Sequence, residues 1–89
     1  MNFLHYEVNL GPGDAVKVTL MGNAANVLLL DAGNFMAFQA GRQYRYYGGY
    51  YTRSPATVLP PSPGHWHVVV NLGGLAGSVN AAVQVVRVG

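Results

Sequence analysis

Short runs of alternating apolar and polar residues, cut apart by glycine, proline and asparagine, recur along this chain. A period of two is the signature of a strand with one buried face and one wet face. It is cleanest over Ala15 to Met21, where Val16, Val18 and Leu20 share one face and Lys17 and Thr19 the other. His65 to Asn71 repeats the pattern, with Trp66, Val68 and Val70 on one side. His65, His67, Val69 and Asn71 fall on the opposite side, which reads as the solvent face. Val79 to Val88 sets Val79, Ala81, Val83 and Val85 together. Phe3 to Asn9 reads as the first strand. Val27-Leu28-Leu29-Leu30, within Asn26 to Asp31, is apolar on both faces and predicts a central strand.

The breaks carry their own information. Gly11-Pro12-Gly13-Asp14 and Gly22-Asn23-Ala24-Ala25 are turns, as is the glycine-rich Leu72 to Gly77. Phe35 and Phe38 lie three apart, Asn34 can cap and Gly41 can close a helix. The spacing predicts one short helical turn over Asn34 to Ala40, with Asp31 at its start. Gln43 to Tyr47 and Tyr50 to Thr52 flank Gly48-Gly49, the spacing of a tight two-residue hairpin. Pro55 to Leu59 reads as a short edge strand, and Pro60 to Gly64 as a loop or polyproline-like corner. Together these predict about eight strands in an all-β fold. We expect a single small β-sandwich spanning residues 1–89, jelly-roll-like, with one short helical turn. Its core should hold Val16, Val18, Leu20, Trp66, Val68, Val70, Val83 and Val85.

Composition narrows what such a domain can do. Charged residues make up 9% of the chain, against ~25% in a typical domain, and hydrophobic residues 51%. Disorder is excluded by that balance. So little charge covers a small globule poorly, so self-association or a standing protein partner is expected. Five basic residues and a net charge of +2 are too few for duplex DNA. No apolar run approaches the ~20 residues of a membrane-spanning helix, so no membrane association is expected. The N-terminus lacks a basic n-region and a long h-region, so no signal peptide is expected. The absence of cysteine excludes disulfides and thiol catalysis, and the expected location is the cytoplasm.

The densest candidate chemistry lies between Gly41 and Pro55. Arg42, Tyr44, Arg45, Tyr46, Tyr47, Tyr50, Tyr51 and Arg53 hold five of the six tyrosines and three of the five basic residues. Tyrosine faces offer stacking platforms, and guanidinium forks grip carboxylate, phosphate or sulfate. The same residues also suit a hairpin whose rings pack cross-strand over a low-charge core. In a strand, Tyr44 and Tyr46 share a face and Tyr47 lies opposite, so the five rings cannot all point one way.

His65 and His67 lie two apart on one strand and project to the same side, half of a metal site to which His5 can add. The Gly-x-His-x-His pattern resembles that of cupins, but their glutamate a few residues on is replaced here by Val68-Val69-Val70-Asn71. Glu7, the only glutamate, would have to arrive from the first strand. No metal site and no cofactor are therefore expected. Asp14 and Asp31 sit at turns, no serine has a nucleophile-elbow context, and no glycine run opens a helix to cradle phosphate. We expect no enzyme.

Several segments together resemble one bacterial family known as a domain of unknown function. They are Met1 to Tyr6, Gly13-Asp14, Val18 to Leu20, Ala24 to Val27, Asn34-Phe35, Arg45 to Gly49, Arg53 to Pro55, Gly64 to Val69 and Leu72 to Gly74. The resemblance covers nearly the whole chain. It implies an all-β sandwich found alone and sometimes fused to a TIR domain, with no established activity and no catalytic residues. The fusions imply a sensing or partner-binding role. The function expected is thus a non-enzymatic binding module using the Tyr/Arg hairpin, as an oligomer or with a protein partner. The alternatives are recognition of a small anionic or sugar-like ligand, such as a nucleotide, and a metal-dependent enzyme built on His5, His65 and His67.

Overall fold

The computed structural model describes residues 3–88 as seven strands and one helix. The strands are β1 (Leu4–Leu10), β2 (Asp14–Gly22), β3 (Ala25–Leu30), β4 (Tyr47–Tyr51), β5 (Ala56–Val58), β6 (Gly64–Asn71) and β7 (Val79–Arg87). The helix α1 (Ala32–Gln39) links β3 to β4. All pairings are antiparallel, in one sheet of order β1-β6-β3-β4 and another of order β5-β2-β7. The chain crosses repeatedly between the sheets, as in a jelly roll, but the second sheet has three strands rather than four. The described residues thus hold seven strands, where about eight were expected.

Alternation decides what lies between the sheets. Val16 and Val18 of β2 meet Val27 and Leu29 of β3 and Trp66, Val68 and Val70 of β6 in one buried cluster. The Trp66 indole N–H donates to the Ser62 carbonyl at 3.1 Å, so its burial leaves no polar atom unpaired. Leu20 and Val83 pack at the margin of this core. Val85, expected inside, is 42% exposed. It lies on β7, an edge strand, and has a neighbouring strand on one side only.

The outer face of the four-stranded sheet is not a solvent face throughout. Leu28 and Leu30 of β3 and Val69 of β6 point away from the sandwich and form a second buried cluster with Phe35 and Phe38 of α1. The helix lies across β3 and β6 as a third layer. It buries His67 to 9% exposure, correcting the expectation that His65 and His67 both face water.

Local chemistry fixes this helix. The Asp31 side chain accepts from the Asn34 backbone N–H at 2.8 Å, so Asp31 rather than Asn34 is the N-cap. At the other end Gly41 takes φ 72°. The Gly41 N–H donates to Phe38 O at 3.2 Å and the Arg42 N–H to Ala37 O at 2.9 Å, the paired bonds of a Schellman cap. The helix runs two residues earlier than its apolar spacing suggests, because Ala32 and Gly33 carry no periodic signal.

The expected Gly48-Gly49 hairpin is absent. Both glycines lie inside β4, paired with Leu28 and Val27 of β3. At Gly48, φ is 120° and a Cβ would collide with the Val27 carbonyl oxygen. The glycine is there for close approach of two backbones, not for a turn.

Candidate functional site

The Arg/Tyr segment occupies the loop after α1 and the edge strand β4. The Arg45 N–H donates to Asn34 Oδ1 at 2.7 Å, which fastens the loop back onto the start of the helix. Tyr44 packs edge-on against Phe38, with ring centroids 5.2 Å apart, and leans on Tyr46 at 5.9 Å. An open groove of about 840 Å³ runs between Asn34 and the residues Gly41 to Arg45.

The five tyrosines divide. Tyr47 meets Trp66 edge-on at 6.0 Å and Tyr51 packs on the inter-sheet core. Tyr50 alternates to the other face and is 54% exposed. Tyr44 and Tyr46 are exposed on the loop. Arg42, Arg45 and Arg53 are all exposed. Among the described residues the ion pairs are His65–Glu7 and Arg87–Asp14, so these three guanidiniums have no carboxylate partner. The accessible surface is thus Arg42, Tyr44, Arg45, Tyr46, Tyr47, Tyr50 and Arg53, with Tyr51 as its anchor to the core and Tyr47 touching Trp66 at its edge.

A second cluster lies on the outer face of β1 and β6. Their register sets Glu7 opposite His67 and Asn9 opposite His65. His65 is pinned on both sides, with Nε2 2.9 Å from Glu7 Oε1 and Nδ1 2.8 Å from Asn9 Oδ1. His67 Nδ1 lies 2.9 Å from His5 Nε2. The Phe35 ring stacks on both inner imidazoles, 4.5 Å from His67 and 4.2 Å from His5.

Burial pushes the His67 pKa below its usual value, with the neighbouring His5 acting in the same direction. The hydrogen bond from His65 lowers the Glu7 carboxyl. One ligand atom from each of Glu7, His65 and His67 lies within 4.8 Å of the others, close to the spacing that a shared ion needs.

Alternation predicted that His65 and His67 share a side, and the fold adds His5 and Glu7 to them. The alternation of His5, Glu7 and Asn9 was equally visible, but nothing in the sequence set β1 beside β6. Asn9, which holds one imidazole, was not singled out, and Phe35 was read only as part of the helix signal. Both clusters adjoin α1, whose Phe35 contacts the histidines and whose Phe38 contacts Tyr44.

A family model described as Domain of unknown function (DUF1883) matches residues 1–89. The chain belongs to the DUF1883 family. No curated protein and no solved structure matches it. The family description carries no activity, so the chemistry of this DUF1883 domain rests on its own side chains. No helix among the described residues is long and apolar enough to cross a membrane.

Proposed function

We propose that this DUF1883 domain is a non-enzymatic binding module that contacts a protein partner through Arg42 to Arg53. One observation carries the reading: three exposed guanidiniums with no carboxylate partner among the described residues are interleaved with exposed tyrosine rings on one segment. Tyr and Arg are the residue types that dominate interface hot spots, because both contribute large contact area and directional polar groups. A net cationic surface of this kind fits a partner rich in carboxylates. A cytoplasmic setting and a sensing role belong to the same reading, supported by the Cys-free chain and by the resemblance to domains that occur fused to TIR.

A second reading follows from the groove between Asn34 and Arg45. Its Arg42 and Arg45 guanidiniums suit a small anionic ligand, a nucleotide or an acidic sugar.

The test is the double substitution Arg45→Ala with Tyr50→Ala. Both side chains are exposed, so the unfolding midpoint should stay near that of the parent while binding is lost. The bound species separates the two readings, an acidic peptide or protein for the first and a nucleotide or acidic sugar for the second. Both should weaken as salt rises, because both rest on exposed arginine–anion contacts. Unchanged binding by the double variant would reject both.

A further inference from the structure

We propose that Glu7, His65 and His67 bind a divalent transition-metal ion of the zinc, cobalt and nickel class, with Asn9 and His5 positioning the two imidazoles. The inference is independent of the Tyr/Arg reading and assigns no reaction to the site.

The donor set selects the class. Two imidazoles and one carboxylate suit borderline divalent ions, whereas calcium and magnesium prefer oxygen ligands alone. The spacing is close to what one ion needs. Bonds of about 2.0–2.2 Å hold ligand atoms about 3–3.5 Å apart around a tetrahedral ion. Here the three atoms already lie within 4.8 Å of one another, and His65 Nε2 is 2.9 Å from Glu7 Oε1. Small side-chain rotations of the exposed His65 and Glu7 close the difference.

The partners behind the ligands carry the argument further. A metal-bound imidazole characteristically uses its second ring nitrogen in a hydrogen bond to the protein, which fixes the ring and its tautomer. Both candidate histidines do so. His65 Nδ1 donates to Asn9 Oδ1 at 2.8 Å, which directs Nε2 toward Glu7. His67 Nδ1 is engaged by His5 at 2.9 Å, so Nε2 is the nitrogen it has left to offer. An ordinary surface His–Glu contact needs neither arrangement.

The scaffold is rigid where it matters. The ligands stand on two paired strands rather than on loops, and the Phe35 ring stacks on His67 with their planes 6° apart. Glu7 and His65 are half-exposed, leaving a path for the ion and open coordination positions for water. On binding, the proton shared between His65 Nε2 and Glu7 Oε1 leaves to solvent. The nitrogen lone pair and the carboxylate then bond the ion instead.

The experiment is a calorimetric titration of untagged, chelator-treated protein with Zn²⁺. The parent should bind one ion with a Kd of about 10 µM or tighter. Glu7→Gln and His65→Ala, both at exposed positions, should each weaken binding at least about 10-fold, and Asn9→Ala several-fold. Arg45→Ala with Tyr50→Ala should leave it unchanged. Stoichiometric binding that survives both Glu7→Gln and His65→Ala would overturn the proposal, as would no one-to-one binding by the parent.

Discussion

Phe35 lies flat on His67, with ring centroids 4.5 Å apart and planes 6° from parallel. That contact joins the helix to the sheet and closes the face that alternation alone reads as wet. It also links fold to site, because the same ring stacks on His5. Replacing Phe35 with alanine should therefore destabilise the domain. Loss of a buried phenylalanine costs about 3–5 kcal/mol, a large part of the stability of a domain this size. Chemical denaturation should show that drop. A change below about 1 kcal/mol would mean that α1 does not depend on this contact.

The His67 ring gives the domain a pH dependence of definite sign. Its folded-state pKa lies below the usual 6.5, chiefly through burial. The unfolded chain therefore takes up a proton that the folded one resists, so stability is fully present above pH 6.5. It falls as pH drops from there through the lowered folded-state value. Glu7 acts in the same direction at more acid pH, its carboxyl being held below the usual 4.5. The charges facing His67 are those of His5, Glu7, His65 and Asp31. Thermal midpoints measured from pH 7.5 to 5 should decline in the parent. They should decline less in His67→Gln; equal slopes would assign the dependence elsewhere.

Two glycines separate close approach from mere flexibility. Gly48→Ala drives a methyl group into the Val27 carbonyl at φ 120° and should cost roughly 2 kcal/mol or more. Gly33, in the first turn of α1, has only Asp31 Oδ1 at 3.8 Å from a built Cβ, an ordinary contact. Gly33→Ala should stabilise by about 0.5 kcal/mol. Paired urea melts decide the matter, and equal effects at both positions would remove the argument for a close β3–β4 approach.

Much of this architecture was legible in the sequence, and its gaps have physical causes. Alternation located β2, β6 and β7, and the two-faced apolar run Val27 to Leu30 marked β3 as central. The outer face of β6 was misread because His65, His67 and Asn71 are polar, and the helix that covers it announces itself only through Phe35 and Phe38. Gly48-Gly49 was misread because a glycine pair serves a tight turn and a close backbone approach equally well. The Glu7–His65–His67 cluster depended on β1 lying beside β6 in register. That pairing joins residues about 60 apart in the chain, and no local pattern encodes it. The Arg/Tyr segment was legible as composition. The sequence did not show that Tyr51 packs on the core while Tyr47 and Tyr50 stay exposed on opposite faces of β4.

The Arg/Tyr surface is tested most directly by amide NMR shifts of labelled protein. An acidic peptide, a nucleotide and an anionic oligosaccharide are added in turn, and the protein alone is diluted. The account predicts shifts confined to residues 42–53 in at least one series, abolished by Arg45→Ala with Tyr50→Ala. Shifts centred elsewhere, or none in any series, would contradict it.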